Sequence, residues 1–296
     1  MRRFRNTLAA IAAALGMLVL PAQARAPQPV ESRPALWKVA DADTTIYLFG
    51  TIHALPADVP WYRGEVAVAF EGSKELVTEI TEADPASTQQ ALLTRAVLPP
   101  GQSLRALLSA QEKARYEAAL TSLNMPIDTF DRFEPWYAAI VLGTLPLLQD
   151  GYSAGMGVEK VLGTRAKALG RAQEGLETAE YQFGLFDGLP PAVQKRYLLE
   201  VIRNLPTMKQ DLVKIIEAWK AGDAEGLARL INAEEDDPAL VAALITNRNK
   251  AWADWIKARL DKPGTVFVAV GAGHLAGAGS VQDQLAARGV ATTRLQ

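Results

Sequence analysis

Thr45-Ile-Tyr-Leu-Phe-Gly-Thr-Ile-His53 and Thr265-Val-Phe-Val-Ala-Val-Gly-Ala-Gly-His274 decide how this chain is read. Each is an apolar, β-prone run followed by glycine, two residues and histidine. Together they hold the chain's two histidines, about 220 residues apart and near its opposite ends. Glycine is roughly 7% of average composition, so two independent histidines would share that spacing about once in 200 cases. The shared apolar run makes coincidence rarer still. Glycine after a strand lets the backbone turn sharply and adopt positive φ. The histidine then projects from the turn. Two such turns imply two strand ends brought together around one site. Imidazole is the commonest metal ligand and the usual acid/base group near neutral pH.

Around these stretches the chain reads as α/β. In residues 35–80, Leu36-Trp-Lys-Val39 and Thr45-Ile-Tyr-Leu-Phe49 flank Ala40-Asp-Ala-Asp43, a hairpin signal. Leu76-Val-Thr-Glu-Ile80 reads as a third strand, and Pro60-Trp61 as the opening of a short helix through Phe70. The middle is helical. Ser109-Ala-Gln-Glu112 is a capping box, and residues 134–148 are apolar almost all round, which predicts a buried helix. Residues 156–169 are amphipathic and end at Gly170, and a fourth strand is expected at 172–176. Long helices are expected at 192–219, broken at Pro206, and at 238–260. The end returns to strand 265–270, helix 280–287 and strand 290–295, a right-handed crossover. The expected architecture is α/β (α+β): one mixed sheet from the N- and C-terminal segments, with a long helical insertion between. Two pseudo-equivalent strand–GxxH–helix units form related edges, and the two GxxH turns are expected to meet at the ends of neighbouring strands. Ligands in such sheets collect at the carboxyl ends of the strands.

Residues 1–26 read as a signal peptide. Met1-Arg-Arg-Phe-Arg5 is a positive start, residues 8–20 are apolar, and Ala22-Gln23-Ala24 is a cleavage signal. A periplasmic or secreted protein is expected, with a single domain at 27–296 and no stable membrane span after cleavage. Removing Arg2, Arg3 and Arg5 takes the net charge from -2 to -5. An acidic chain is a poor nucleic-acid binder. The chain has no cysteine, which excludes disulfides, a thiolate nucleophile and thiolate metal sites.

Any metal must therefore be held by histidine and carboxylate. A catalytic divalent ion needs about three protein ligands plus an open water position. His53 and His274 supply two. Glu79, in the apolar strand Leu76-Val-Thr-Glu-Ile80, leads for the third, because a carboxylate there is costly unless paired or metal-bound. Glu82 and Glu177 are the alternatives. Arg248-Asn249 read as part of a solvated helix face, with binding of a substrate carboxylate or oxyanion as the other reading. Gly277 and Gly279 form a turn that would present backbone N–H groups at the next helix.

These residues resemble the TraB/PrgY/GumN family, in particular its exported GumN-like branch. The resemblance rests on Leu36-Trp-Lys-Val39, Tyr47-Leu-Phe-Gly-Thr-Ile-His53 and Glu79 near the start. It continues through Gly157-Val158-Glu159, Gly175-Leu-Glu-Thr178 and Gln182. It closes on Arg248-Asn249, Trp252 and Phe267-Val-Ala-Val-Gly-Ala-Gly-His-Leu-Ala-Gly277. The family's hallmark is a pair of GxxH motifs and a glutamate, here Gly50–His53, Gly271–His274 and Glu79. It is similar to the Tiki metalloproteases of animals and to erythromycin-esterase-like and ChaN-like proteins. The resemblance implies a hydrolase of peptides or amides using manganese, cobalt or zinc. His53, His274 and Glu79 would be metal ligands, with Glu79 as ligand or general base. The alternative it leaves is a periplasmic haem- or metal-binding protein, or an accessory of envelope or exopolysaccharide assembly, without catalysis. The expected partner is a peptide or small-molecule substrate.

Overall fold

The structure, a computed structural model, describes residues 32–81, 85–149, 151–232 and 237–296. The expected signal peptide, and Glu82, lie outside the described residues.

The sheet begins with β1 (Leu36–Ala40) and β2 (Thr44–Thr51). Asp41 makes the hairpin between them: its Oδ1 accepts from the backbone N–H of Asp43 and of Thr44, at 3.1 and 2.8 Å. That is the local bond that makes aspartate a turn residue. Helix α1 (Gly64–Gly72) leads to β3 (Glu75–Ile80). A helical stretch follows: α2 (Pro85–Ala96), α3 (Ala110–Ser122), α4 (Pro135–Gln149) and α5 (Val158–Ala168). Then come β4 (Ala172–Glu177), α6 (Ala179–Asp187), α7 (Pro191–Asn204), α8 (Met208–Lys220) and α9 (Ala224–Asn232). Helix α10 (Pro238–Val241), a π-helical stretch (Ala242–Thr246) and α11 (Asn247–Arg259) precede β5 (Gly264–Gly271). The chain closes with α12 (Val281–Ala286) and β6 (Thr293–Arg294).

The strand order is β4-β3-β5-β2-β1-β6. β4, β3, β5 and β2 run parallel to their neighbours, while the β1–β2 and β1–β6 pairs are antiparallel. The sheet is mixed, as expected. The two long apolar runs are β2 and β5, adjacent as expected but in the middle of the sheet and not at its edges. β5 is buried from Val266 to Val270 because helices cover both faces, and such strands read as continuous apolar runs. Phe267 and Ala269 face one layer with Phe49, Phe70, Trp219 and Leu162. Val266, Val268 and Val270 face the other, with Trp252, Ile256 and Leu285. The insertion has its own core, where Tyr116, Leu120, Leu142 and Leu198 of α3, α4 and α7 pack together.

Several expectations need correction. The β5–α12–β6 unit does cross over, since β6 lies parallel to β5, but it does not join adjacent strands: β6 pairs with β1, and β2 and β1 lie between. The β2–α1–β3 unit is a second crossover, which straddles β5. Pro60 lies ahead of α1, which starts at Gly64. The apolar helix α4 is buried only in its first half; Leu148 is exposed. The sheet also takes β4 from the middle of the chain, and its polar Gln173 and Glu174 suit an exposed edge.

Candidate functional site

Parallel pairing of β2 and β5 aligns Gly50 with Val270 and Thr51 with Gly271. The two GxxH turns therefore leave the same end of the sheet side by side. Neither glycine has positive φ, which corrects the reason expected for them. Both are there for space. A Cβ on Gly50 would lie 3.0 Å from Cα of Ala272, in the partner turn. A Cβ on Gly271 would lie 3.0 Å from Oε1 of Glu79, 3.5 Å from the His274 ring and 3.8 Å from Nε2 of His53. Gly271 is thus the point around which His53, Glu79 and His274 gather. The first turn is pinned from behind by Trp219, whose Nε1 donates to the Gly50 carbonyl at 2.8 Å.

Glu79 shares a face of β3 with Val77, under α11, and is buried. Oε1 accepts from the Gly271 N–H at 2.7 Å, and Oε2 from Arg248 Nη2 at 2.5 Å. Gln182 of α6 donates to Glu79 and to Glu177 at 3.0 and 2.9 Å. Glu177, at the end of β4, also takes Arg248 Nε at 2.9 Å and Trp252 Nε1 at 2.9 Å. Arg248 and Asn249 do not lie on a solvated face; both are buried. The signal was present in the sequence: Arg248, Trp252 and Ile256 repeat every four residues along one stripe of α11. The structure brings Glu177 into the cluster as an arginine partner.

His274 is buried in the short helical turn Ala272–Leu275. Arginine has only donors, so the 3.0 Å contact of Arg248 Nη1 with Nε2 makes that nitrogen the acceptor. Nδ1 then carries the proton and donates to Asn249 Oδ1 at 2.6 Å. Asn249 Nδ2 in turn donates to the Gly279 carbonyl at 2.9 Å. Gly277 and Gly279 do have positive φ. The Gly279 N–H goes to Asp283 at 2.8 Å, not to a ligand position. His53 differs from His274: 73% of its side chain is exposed. Its Nδ1 donates to Glu159 of α5 at 2.6 Å, and Thr51 Oγ1 donates to the same carboxylate oxygen. Glu159 was marked in the sequence only by the resemblance.

These surroundings drive the three groups apart in acidity. The hydrogen bond and charge of Glu159 raise His53 to about 9, against the effect of desolvation. Burial lowers His274 to about 4, so it is neutral at pH 7. Burial pushes Glu79 up, but Arg248, His274, His53 and the Gly271 N–H together outweigh it and bring it down to about 2.

Two imidazoles and a carboxylate are suitable donor types for manganese, cobalt or zinc. As arranged they do not fit an ion. The lone pair of His274 Nε2 is covered by Arg248, Glu79 has bonds on both oxygens, and an added cation would lie against the guanidinium. Among the described residues, which leave out Glu82, no group of three or more such side chains is poised to hold a metal.

A cleft of about 240 Å³ opens beside Glu159, lined by Thr78, Thr81, Thr88, Lys160 and Gln173. A larger cavity, about 890 Å³, lies elsewhere, between α3 and α7, and contains none of the residues above.

The chain is 23% identical over 264 residues to an uncharacterised protein of Treponema pallidum (strain Nichols), covering 83% of this chain and 78% of that protein. No solved structure matches. The family model for TraB/PrgY/gumN matches residues 35–294, from the first strand to the last and across both GxxH turns. The chain belongs to the TraB/PrgY/gumN family.

Proposed function

We propose that this protein is an exported hydrolase of peptide or amide bonds, with His53 as general base. The observation that carries the reading is the convergence of His53, Glu79 and His274 on Gly271 from three separate segments, with Glu159, the partner of His53, lining a cleft. Export rests on the charged, apolar and small-residue order of residues 1–26.

His53 Nε2 is the imidazole nitrogen left open on the exposed side of the cluster. Neutral His53 takes a proton from water as the water oxygen bonds to the substrate carbonyl carbon, and the carbonyl electron pair moves to its oxygen. When the carbon–nitrogen bond breaks, His53 returns the proton to the leaving nitrogen. Glu159 fixes the Nδ1–H tautomer and stabilises the imidazolium, the general role of a carboxylate behind a catalytic histidine. Glu79 is too weak a base for that task and both its oxygens are bonded. Its negative charge instead supports the protonated His53.

A metal-dependent form of this hydrolase would use His53, His274 and Glu79 as ligands for manganese, cobalt or zinc, and would need Arg248 to withdraw. The exposed His53 also suits a second reading, a non-catalytic haem- or metal-binding or envelope accessory protein. The test is hydrolysis of a peptide mixture by the purified mature chain, followed by mass spectrometry with and without chelator. Cleavage lost in His53→Ala supports the proposal, and sensitivity to chelator selects its metal-dependent form. No cleavage, with a Soret band on adding haem, selects the second reading.

A further inference from the structure

We infer that Arg248 is the resident cation of this centre, holding the place a divalent ion would need and excluding metal from the two-histidine site. The proposal depends on the hydrolase reading only for the choice of site. It rests on a count of donors.

A guanidinium has five N–H donors. Nε donates to both oxygens of Glu177, at 2.9 and 3.1 Å. Nη1 donates to the Leu244 carbonyl and to His274 Nε2, each at 3.0 Å. Nη2 donates to Glu79 Oε2 at 2.5 Å and to Glu177 Oε2 at 2.9 Å. Every donor is used, and the guanidinium carbon sits 4.6 Å from the centre of the Trp252 ring. Side chains from β3, β4 and the His274 turn, together with α11 itself, hold this group in place, so it is not a mobile gate.

Leu244 belongs to the π-helical stretch Ala242–Thr246, immediately before Arg248. Such wider turns recur at functional sites, and here the turn supplies a carbonyl that anchors the arginine from its own helix. An ion bound to His274 Nε2 would sit about 2.1 Å from it. That position falls between Nε2 and the arginine nitrogen 3.0 Å away. Arginine and ion are therefore alternatives at one place. With arginine present, the reactive imidazole left to the site is that of His53.

The test compares chelator-treated wild type with an Arg248→Met, Glu177→Gln variant, which removes the guanidinium together with one of its carboxylates. Each is titrated with zinc and with cobalt by calorimetry, with circular dichroism reporting the fold. The expected result is no stoichiometric binding by wild type. The variant is expected to bind one ion at least tenfold more tightly, with the gain abolished by adding His274→Ala. One ion bound by wild type and lost in His274→Ala overturns the inference, as does a folded variant that takes no ion. Should the variant not fold, cobalt absorption of wild type against His274→Ala decides alone. Peptide cleavage measured in parallel separates the two claims. Its absence counts against the hydrolase and leaves this inference standing, whereas metal in wild type overturns this inference and leaves the hydrolase standing.

Discussion

The backbone N–H of Gly271 donates to Oε1 of Glu79 at 2.7 Å, tying the second GxxH turn to the neighbouring strand across 192 residues of chain. This bond joins fold to site. It needs a residue without a side chain at 271, because a Cβ there would meet the same oxygen at 3.0 Å.

Gly271→Ala is therefore expected to push Glu79 and His274 apart. Overpacking a tight site costs about 1–3 kcal/mol, and hydrolysis should fall at least tenfold as the cluster opens. Urea denaturation and the peptide assay measure the two effects. Wild-type stability and activity in this variant would show that the close approach is not required.

Asn249→Ala should leave the Nδ1–H of His274 buried without its acceptor. An orphaned buried donor costs about 1–3 kcal/mol. The His274 ring should also lose its fixed tautomer, which nitrogen-15 NMR of the imidazole reads directly. An unchanged tautomer would remove Asn249 from this role.

His53 should titrate near 9, and Glu159→Gln should return it toward the ordinary 6.5. A histidine raised on folding stabilises fully below 6.5, and the contribution is lost as pH rises through about 9. The ring is largely exposed, so solvent screening keeps that contribution small. Activity should be the clearer signal. If neutral His53 is the base, the rate climbs with pH up to about 9 in wild type and levels off earlier in Glu159→Gln. NMR titration and a pH–rate profile check both.

On the acid side the sign reverses. His274 is held neutral with a folded value of about 4, so the protein loses stability as pH falls from 6.5 toward 4. Glu79, brought down to about 2, adds a second loss between 4.5 and 2. Urea midpoints at pH 7, 5 and 3 should fall in that order, and His274→Gln should flatten the step between 7 and 5.

Much of this was legible in the sequence because it is local. Residues 265–270 were read as a strand from their unbroken apolar run, and in the sheet Val266, Val268 and Val270 pack on one face and Phe267 and Ala269 on the other. The capping box at Ser109 formed as its spacing implies. Where the reading failed, the deciding partner was far away in the chain. Arg248 looked solvated because its acceptors, Glu79, Glu177 and His274, lie on three other segments. The sequence marked the last strand but not its neighbour, and in the sheet it lies at the edge beside β1.

The sequence by itself determined that two glycine–histidine turns end two buried strands, and that a glutamate in a third strand needs a partner. Side-chain period and the cost of burying charge suffice for that. The tertiary structure alone decided that β2 and β5 lie in the middle of the sheet and that the two imidazoles are unlike. One is exposed and held by Glu159, and the other is buried against an arginine. Strand order and the charge that fills a buried site are set by packing between distant segments, which no local pattern encodes.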